Sequence, residues 1–253
     1  MAKLFYLILS LLVLSAVSIQ AAEENFLLIN GSTGEVLMEI GPHIHKRVTP
    51  CSTFKIPLSL MGYDAEILED ENTPFWSFQD GYYYLDYKET WKADQSPESW
   101  MKDSCVWYSQ VLAKQLGLDS IQHYLKIFEY GNQDMTGGLT DAWLESSLKI
   151  SPQEQVTFLQ KFLNKEFSLS DHSLDMTKRL LFKETLEGDR KLFGKTGFGS
   201  LDNKEPERKI GWFIGWVESN QDILIFAYHI QGTNIDPAKR VPRVIQLLSN
   251  YTY

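Results

Sequence analysis

Two cysteines in 253 residues leave no disulfide framework, so the fold must rest on a hydrophobic core. Cys51 and Cys105 either meet or stay free; two free thiols are the expected state, because buried cysteine commonly acts as a small hydrophobe. Basic charge is also short. Twenty-four Lys and Arg against 33 Asp and Glu give a formal charge of −9. That balance excludes the broad cationic surface needed to hold phosphates, and so excludes nucleic acid as a partner. Internal repeats and low-complexity tracts are missing. Long apolar runs are missing too, apart from Leu4 to Val17, which follows Lys3 and precedes Ala21 and Ala22. That run reads as a cleavable secretory signal within residues 1–22 rather than a membrane span. The remainder, 23–253, is expected to be exported, soluble and free of membrane once the signal is removed.

About 230 residues then remain, enough for one large domain or two small lobes with a substantial core. A hydrophobic fraction of 43% and an aromatic fraction of 13% agree with that. Phe26–Asn30 and Glu35–Ile40 are strand-like and joined by Gly31-Ser32-Thr33-Gly34, a hairpin signal. A helix is expected from Ser52, with Thr49 as N-cap and Pro50 at its first position, and with a kink or early end at Pro57. Glu69–Glu98 is rich in Tyr, Trp, Asp and Pro without periodicity, and reads as irregular but packed. Helical patterns follow: Val106 to Leu116 with a stop at Gly117, Ile121 to Phe128, and a capping box Ser151-Pro152-Gln153-Glu154 opening a helix through Leu163.

Strands return at Leu192–Thr196, Ile210–Val217 and Ile223–Ile230, and a last helix opens at Asp236-Pro237. Trp212, Ile214 and Trp216 lie on one face of the middle run, with Phe213 and Val217 on the other, as in a central strand covered on both sides. The expected architecture is α/β (α+β), an antiparallel sheet built from both termini and flanked by helices, with a helical lobe inserted. The sheet layer takes about residues 23–60 and 185–253, the lobe about 61–184.

Ser52-Thr53-Phe54-Lys55 carries the chemistry. Three residues apart on a helix, the Ser52 hydroxyl and the Lys55 amine share a face, and a deprotonated lysine can activate a serine. Alone the pattern means little. Further on come Ser104-Cys105-Val106 and Lys195-Thr196-Gly197. Gly194-Lys195-Thr196 is not a phosphate loop, because Gly188 is one position too far upstream and a strand leads in. His43 and His45 alternate without cysteine or acidic neighbours and are expected to face solvent, with no metal bound. Glu66, Glu69, Asp70 and Glu71 read as a solvated face.

The order Ser-x-x-Lys, Ser-x-Val, Lys-Thr-Gly resembles the penicillin-recognising serine enzymes. Tyr130-Gly131-Asn132, Trp143-Leu144-Glu145-Ser146, Lys195-Thr196-Gly197-Phe198-Gly199 and Gly211–Val217 narrow the resemblance to class D, oxacillinase-type, β-lactamases over nearly the whole mature chain. The resemblance implies a serine β-lactamase/DD-peptidase-like fold and a periplasmic enzyme acting on β-lactams, as monomer or homodimer, with no bound cofactor. Ser52 would form an acyl-enzyme. The N–H groups of Ser52 and Phe198 would form the oxyanion hole, and Ser104 with Lys195 would carry the proton to the leaving nitrogen. Thr196, Gly197, Phe198 and Arg240 would hold the substrate, with Arg243 the rival to Arg240 as carboxylate anchor.

A class A Glu-x-x-Leu-Asn motif is missing. Class D enzymes instead carbamylate the motif lysine with carbon dioxide or bicarbonate, making Lys55 an N6-carboxylysine supported by Trp143, Val106 and Leu144. Tyr130-Gly131-Asn132 reads as structural first. Ser104 is expected to cap the following helix as well as carry a proton. Two other readings share these motifs, a penicillin-sensing receptor domain that stays acylated and a peptidoglycan DD-peptidase. The Trp143 segment and the absence of tethering helices or signalling domains favour the lactamase.

Overall fold

The computed structural model describes residues 22–251 apart from 86–87, 202–205, 221 and 250. The signal expected within residues 1–22 lies outside them except for Ala22. Among the described residues no helix is long and apolar enough to cross a membrane.

Among the described residues six strands form one antiparallel sheet: β1 (Glu23–Asn30), β2 (Val36–Ile40), β3 (Phe182–Thr185), β4 (Lys191–Ser200), β5 (Lys209–Glu218) and β6 (Ile223–Gly232). Their order is β2-β1-β6-β5-β4-β3, so the N-terminal hairpin joins the C-terminal meander through β1 and β6. Side chains alternate across the pleat. Trp212, Ile214 and Trp216 of β5 enter the core shared with the helices. Phe213 and Val217 pack with Phe26, Phe226 and Leu248 on the other face. The central strand is thus covered on both sides, as its sequence requires. The second face is closed by α7 (Arg240–Ser249), through Val244, Leu247 and Leu248.

The first face carries α1 (Lys55–Asp64) and α5 (Pro152–Leu163), the latter lying against β1 and β6. The capping box of α5 forms as expected: the Glu154 N–H donates to Ser151 Oγ at 3.2 Å, and the Ser151 N–H to Glu154 Oε2 at 2.9 Å. Beyond α1 lie α2 (Pro97–Asp103), α3 (Val106–Leu116), α4 (Leu118–Ile127) and α6 (Asp171–Leu181).

Several local expectations need correction. No α-helix begins at Ser52. A 3₁₀ turn, Cys51–Phe54, comes first, and α1 starts at Lys55. Thr49 does not cap it, because its hydroxyl is spent on Trp143, donating to that carbonyl at 2.9 Å. Pro57 neither kinks nor ends α1, since it stands in the first turn, where a missing N–H costs little. Ser104 is not an N-cap; it closes α2 in the left-handed region, φ 62°, while Cys105 precedes α3. The irregular segment contains a 3₁₀ turn, Glu89–Lys92, and yields to α2 through a second capping box at Ser96 and Ser99.

Helix α6 and strand β3 have no counterpart in the sequence reading. The buried face of α6 includes hydroxyls: Ser173 donates to the Leu60 carbonyl at 2.7 Å, and Thr177 Oγ1 lies 2.9 Å from Ser59 Oγ. Leu174, Met176 and Leu181 share that buried side, so α6 is amphipathic, with the hydroxyls interrupting its apolar pattern.

Candidate active site

Between α1, α2 and β4 the three motifs meet. Strand β3 pairs with β4 only as far as Phe193, so from Gly194 onward β4 has an edge without a partner strand. That edge faces the 3₁₀ turn carrying Ser52. The approach is close: a Cβ on Gly197 would stand 3.0 Å from the Pro50 carbonyl oxygen and 3.2 Å from Thr53 Cγ2. The Ser52 and Phe198 segments thereby face one another with backbone groups free of a strand ladder, the requirement for an anion-binding pair of N–H groups.

Ser52, Ser104, Thr196, Gly197, Phe198 and Arg240 line one cleft of about 220 Å³. A larger cleft of about 730 Å³ lies near the other end of β4, among residues such as Asp70, His172 and Phe182, and contains none of them. The smaller is the candidate site, because Ser52 and Ser104 from two separate motifs line it together with Thr196, Gly197 and Phe198 of the third.

Lys55 and Lys195 lie beneath the cleft, only 2% and 1% exposed. Lys195 Nζ donates to Ser104 Oγ at 2.9 Å and to the Thr196 carbonyl at 3.1 Å. Burial, and then the charges of Lys55, Lys183, Arg240 and Lys88, hold its amine well below the ordinary lysine range. An amine whose proton is loosened in this way, bonded to a serine hydroxyl, is placed to exchange a proton with it. Among the described residues Lys55 Nζ has no hydrogen-bond partner. Burial lowers it from 10.5 to about 7, against a smaller opposing influence of the Cys105 thiol. Cys51 and Cys105 are free, and burial pushes them up to about 12 and about 11, so both remain thiols.

Trp143 stands behind the nucleophile turn. Its ring stacks on Phe54 at 5.1 Å, and its carbonyl accepts from the Cys51 N–H at 3.1 Å. Val106 is buried and Leu144 is partly buried against the same core. Tyr130 is buried edge-on to Phe54 at 5.7 Å, and a Cβ on Gly131 would collide with the Lys149 carbonyl. That motif is structural. Arg240 donates to the carbonyls of Gly197 and Trp212, and its guanidinium sits 5.7 Å from the Phe198 ring centre. Burial lowers it to about 10. Arg243 is bound by Glu24, at 2.7 and 3.1 Å, and does not line the cleft.

Sequence reasoning missed two features here. Thr49 and Glu145 join the nucleophile turn to β4. Thr49 Oγ1 accepts the Glu145 N–H at 3.0 Å, and the Thr49 carbonyl accepts from Trp212 Nε1 at 2.9 Å. The Glu145 carboxylate then accepts the Ser200 N–H at 2.5 Å. Cys51, Ser104 and Glu145 all have left-handed φ, 49°, 62° and 63°. Each costs roughly 1–2 kcal/mol for a residue with a Cβ; the bonds just named hold Glu145, the Trp143 carbonyl holds Cys51, and the Trp100 carbonyl and Lys195 hold Ser104. Glu145→Ala is expected to leave the Ser200 N–H without its acceptor, lowering stability by about 1–3 kcal/mol in thermal unfolding. An unchanged melting point would remove the clamp. The second feature is the wall formed by Leu85, Lys88 and Trp91, which comes from the aperiodic segment and left no signal in sequence.

Among the described residues no cluster of three or more His, Cys, Asp or Glu could hold a metal ion. His45 is exposed. His43 is not: it is half-buried, with Nε2 3.0 Å from Glu23 Oε2.

Known proteins with these features are numerous. Residues 25–245 match the family described as penicillin binding protein transpeptidase domain. β-Lactamase OXA-9 of Klebsiella pneumoniae is 40% identical over 205 residues, 77% of this chain and 74% of its own. The crystal structure of the class D β-lactamase OXA-427 superposes with a TM-score of 0.82 at 36% identity, covering 90% of this chain and 97% of that one. The C-terminal domain of the Bacillus licheniformis BlaR penicillin receptor follows at a TM-score of 0.80 and 32% identity, covering 90% of each chain. With its Ser52, Lys55, Ser104 and Lys195 assembled on this sheet and helix frame, the chain belongs to the penicillin-binding transpeptidase-domain family and, within it, to the class D serine β-lactamases.

Proposed function

We propose that this enzyme hydrolyses the β-lactam amide of penicillins through an acyl-serine intermediate on Ser52. The observation that carries the reading is the pair of buried amines flanking one serine-lined cleft: Lys55 with no hydrogen-bond partner among the described residues, and Lys195 bonded to Ser104. The substrate carbonyl would lie between the N–H groups of Ser52 and Phe198, where charge develops on its oxygen. Arg240 and Thr196 would hold the substrate carboxylate, the guanidinium offering paired donors. Ser104 would give its proton to the departing nitrogen and be recharged through Lys195.

Release of the acyl group needs a base for water. The Lys55 niche suits carbamylation by carbon dioxide, because burial favours the neutral amine that reacts and leaves a polar nitrogen unsatisfied. Carbamylated, Lys55 supplies a carboxylate-like proton acceptor. Trp143 would support that group by its indole N–H, with Val106 and Leu144 restricting water around it. Export to the periplasm through the signal within residues 1–22 belongs to the same proposal, and cell fractionation tests it.

The receptor domain among the similar structures makes acylation without release the second reading. The two separate on a chromogenic cephalosporin and on benzylpenicillin. Many turnovers per molecule, rising when bicarbonate is added, are expected. One stoichiometric burst would make the protein a sensor instead.

A further inference from the structure

The cleft holds one cation more than the proposed reaction uses. Of its ten described lining residues none is acidic, and two, Lys88 and Arg240, are cationic. Arg240 is committed to the carbonyls of Gly197 and Trp212 and, in the function proposed above, to the carboxylate that every penicillin carries on its ring. Lys88 comes from a different element, just before the 3₁₀ turn Glu89–Lys92, and stands with Leu85 and Trp91. Its Nζ makes one long bond, 3.3 Å, to the backbone carbonyl of Asp103, and lies 4.9 Å from the Trp91 ring centre. An ammonium has three N–H donors, and among the described residues only one of them is engaged, so two face a ligand. Among the described residues no carboxylate lies within ion-pair distance of it; the nearest acidic influence is Asp103, opposed by Arg240. The amine is half-buried and packed against an indole, which holds the side chain in place and reduces solvent screening of its charge.

We propose that Lys88 is a specificity-determining residue that selects β-lactams bearing a second anionic group on the acyl side chain. The proposal rests on the lactam reading for its substrate class and on the cleft wall for its direction. With the ring carboxylate at Arg240 and Thr196, the side chain of a bound penicillin extends toward the remaining wall. Leu85 and Trp91 there accept an apolar or aromatic group, and Lys88 meets a carboxylate placed beside it.

The test compares two substrates in wild type, Lys88→Gln, Lys88→Arg and Lys88→Glu: benzylpenicillin, and a penicillin whose side chain carries an additional carboxylate. The quantity read is the ratio of their kcat/KM values. Charge pairing at a partly screened site predicts a fall of about tenfold in that ratio for Lys88→Gln, retention in Lys88→Arg and a further fall in Lys88→Glu. Raising ionic strength should lower the wild-type ratio and leave that of Lys88→Gln flat. A ratio unchanged by Lys88→Gln, or equal losses on both substrates, overturns the proposal. If the protein acylates once and stops, the same ratio is read from the two acylation rates, so failure of turnover and failure of the Lys88 assignment are seen separately.

Discussion

Lys55→Met is expected to do two opposite things: abolish turnover and raise stability. Methionine matches the length of the lysine stem and leaves no polar atom in a niche where, among the described residues, Nζ has no hydrogen-bond partner. With Lys55 as the base proposed above, its removal should cost on the order of 10²–10⁴ in kcat, with bicarbonate no longer stimulating. The stability change follows from linkage. The folded-state amine titrates near 7 against an ordinary 10.5. Between those values the unfolded chain binds more protons, so stability rises with pH across that window and is lowest below pH 7. At neutral pH the buried amine therefore destabilises the fold by on the order of a few kcal/mol. Thermal unfolding of Lys55→Met without bicarbonate should show a melting point several degrees higher, with the gap from wild type closing as pH climbs toward 10.5. A lower melting point would mean that the niche is polar and that Lys55 is satisfied within it. Wild-type activity at limiting bicarbonate should fall as pH drops through about 7, where the amine takes up a proton and stops reacting with carbon dioxide. Site and stability are in tension here, as expected where a buried group is kept for its chemistry.

Substitution of Ser104 is the second large effect, and two variants separate its roles. Ser104 ends α2 at φ 62° and receives the Lys195 ammonium or amine at 2.9 Å. Ser104→Ala removes the hydroxyl and keeps the strained backbone. Ser104→Gly removes the hydroxyl and relaxes it, since glycine adopts left-handed φ without a Cβ clash. If the hydroxyl carries the proton, acylation rates should drop by about 10²–10⁴ in both variants, although Ser104→Gly should unfold at the higher temperature. Normal acylation by Ser104→Gly would show that Ser104 serves only to turn the chain. Loss in Ser104→Ala alone would place the effect in the backbone. Burst kinetics with a chromogenic cephalosporin reads acylation directly, without dependence on the Lys55 step.

The motif residues were legible because they are short, local and chemically distinctive. Ser52 and Lys55 are one turn apart, Ser104 and Lys195 each sit in a recognisable triplet, and strand β5 announces itself through apolar residues on both faces. Helix α5 was equally plain from its capping box. Helix α6 went unread although Leu174 and Leu181 give it an amphipathic pattern, because Ser173 and Thr177 interrupt the apolar residues on its buried side. Thr49 was misassigned for a related reason. A threonine before a proline fits a helix cap locally, and only the arrival of Trp143 and Glu145, 94 and 96 residues away in the chain, claims its hydroxyl.

By itself the sequence determined which groups can do chemistry and which strands must be covered on both faces, since both follow from residue identity and period. Only the tertiary structure decided the protonation and access of those groups. Burial beneath a cation-lined cleft makes Lys55 and Lys195 weak bases, an ion pair with Glu24 holds Arg243 outside the cleft lining, and an aperiodic segment brings Lys88 to the cleft wall. Each depends on desolvation or on charges brought together from distant parts of the chain, and those exist only after the chain has folded.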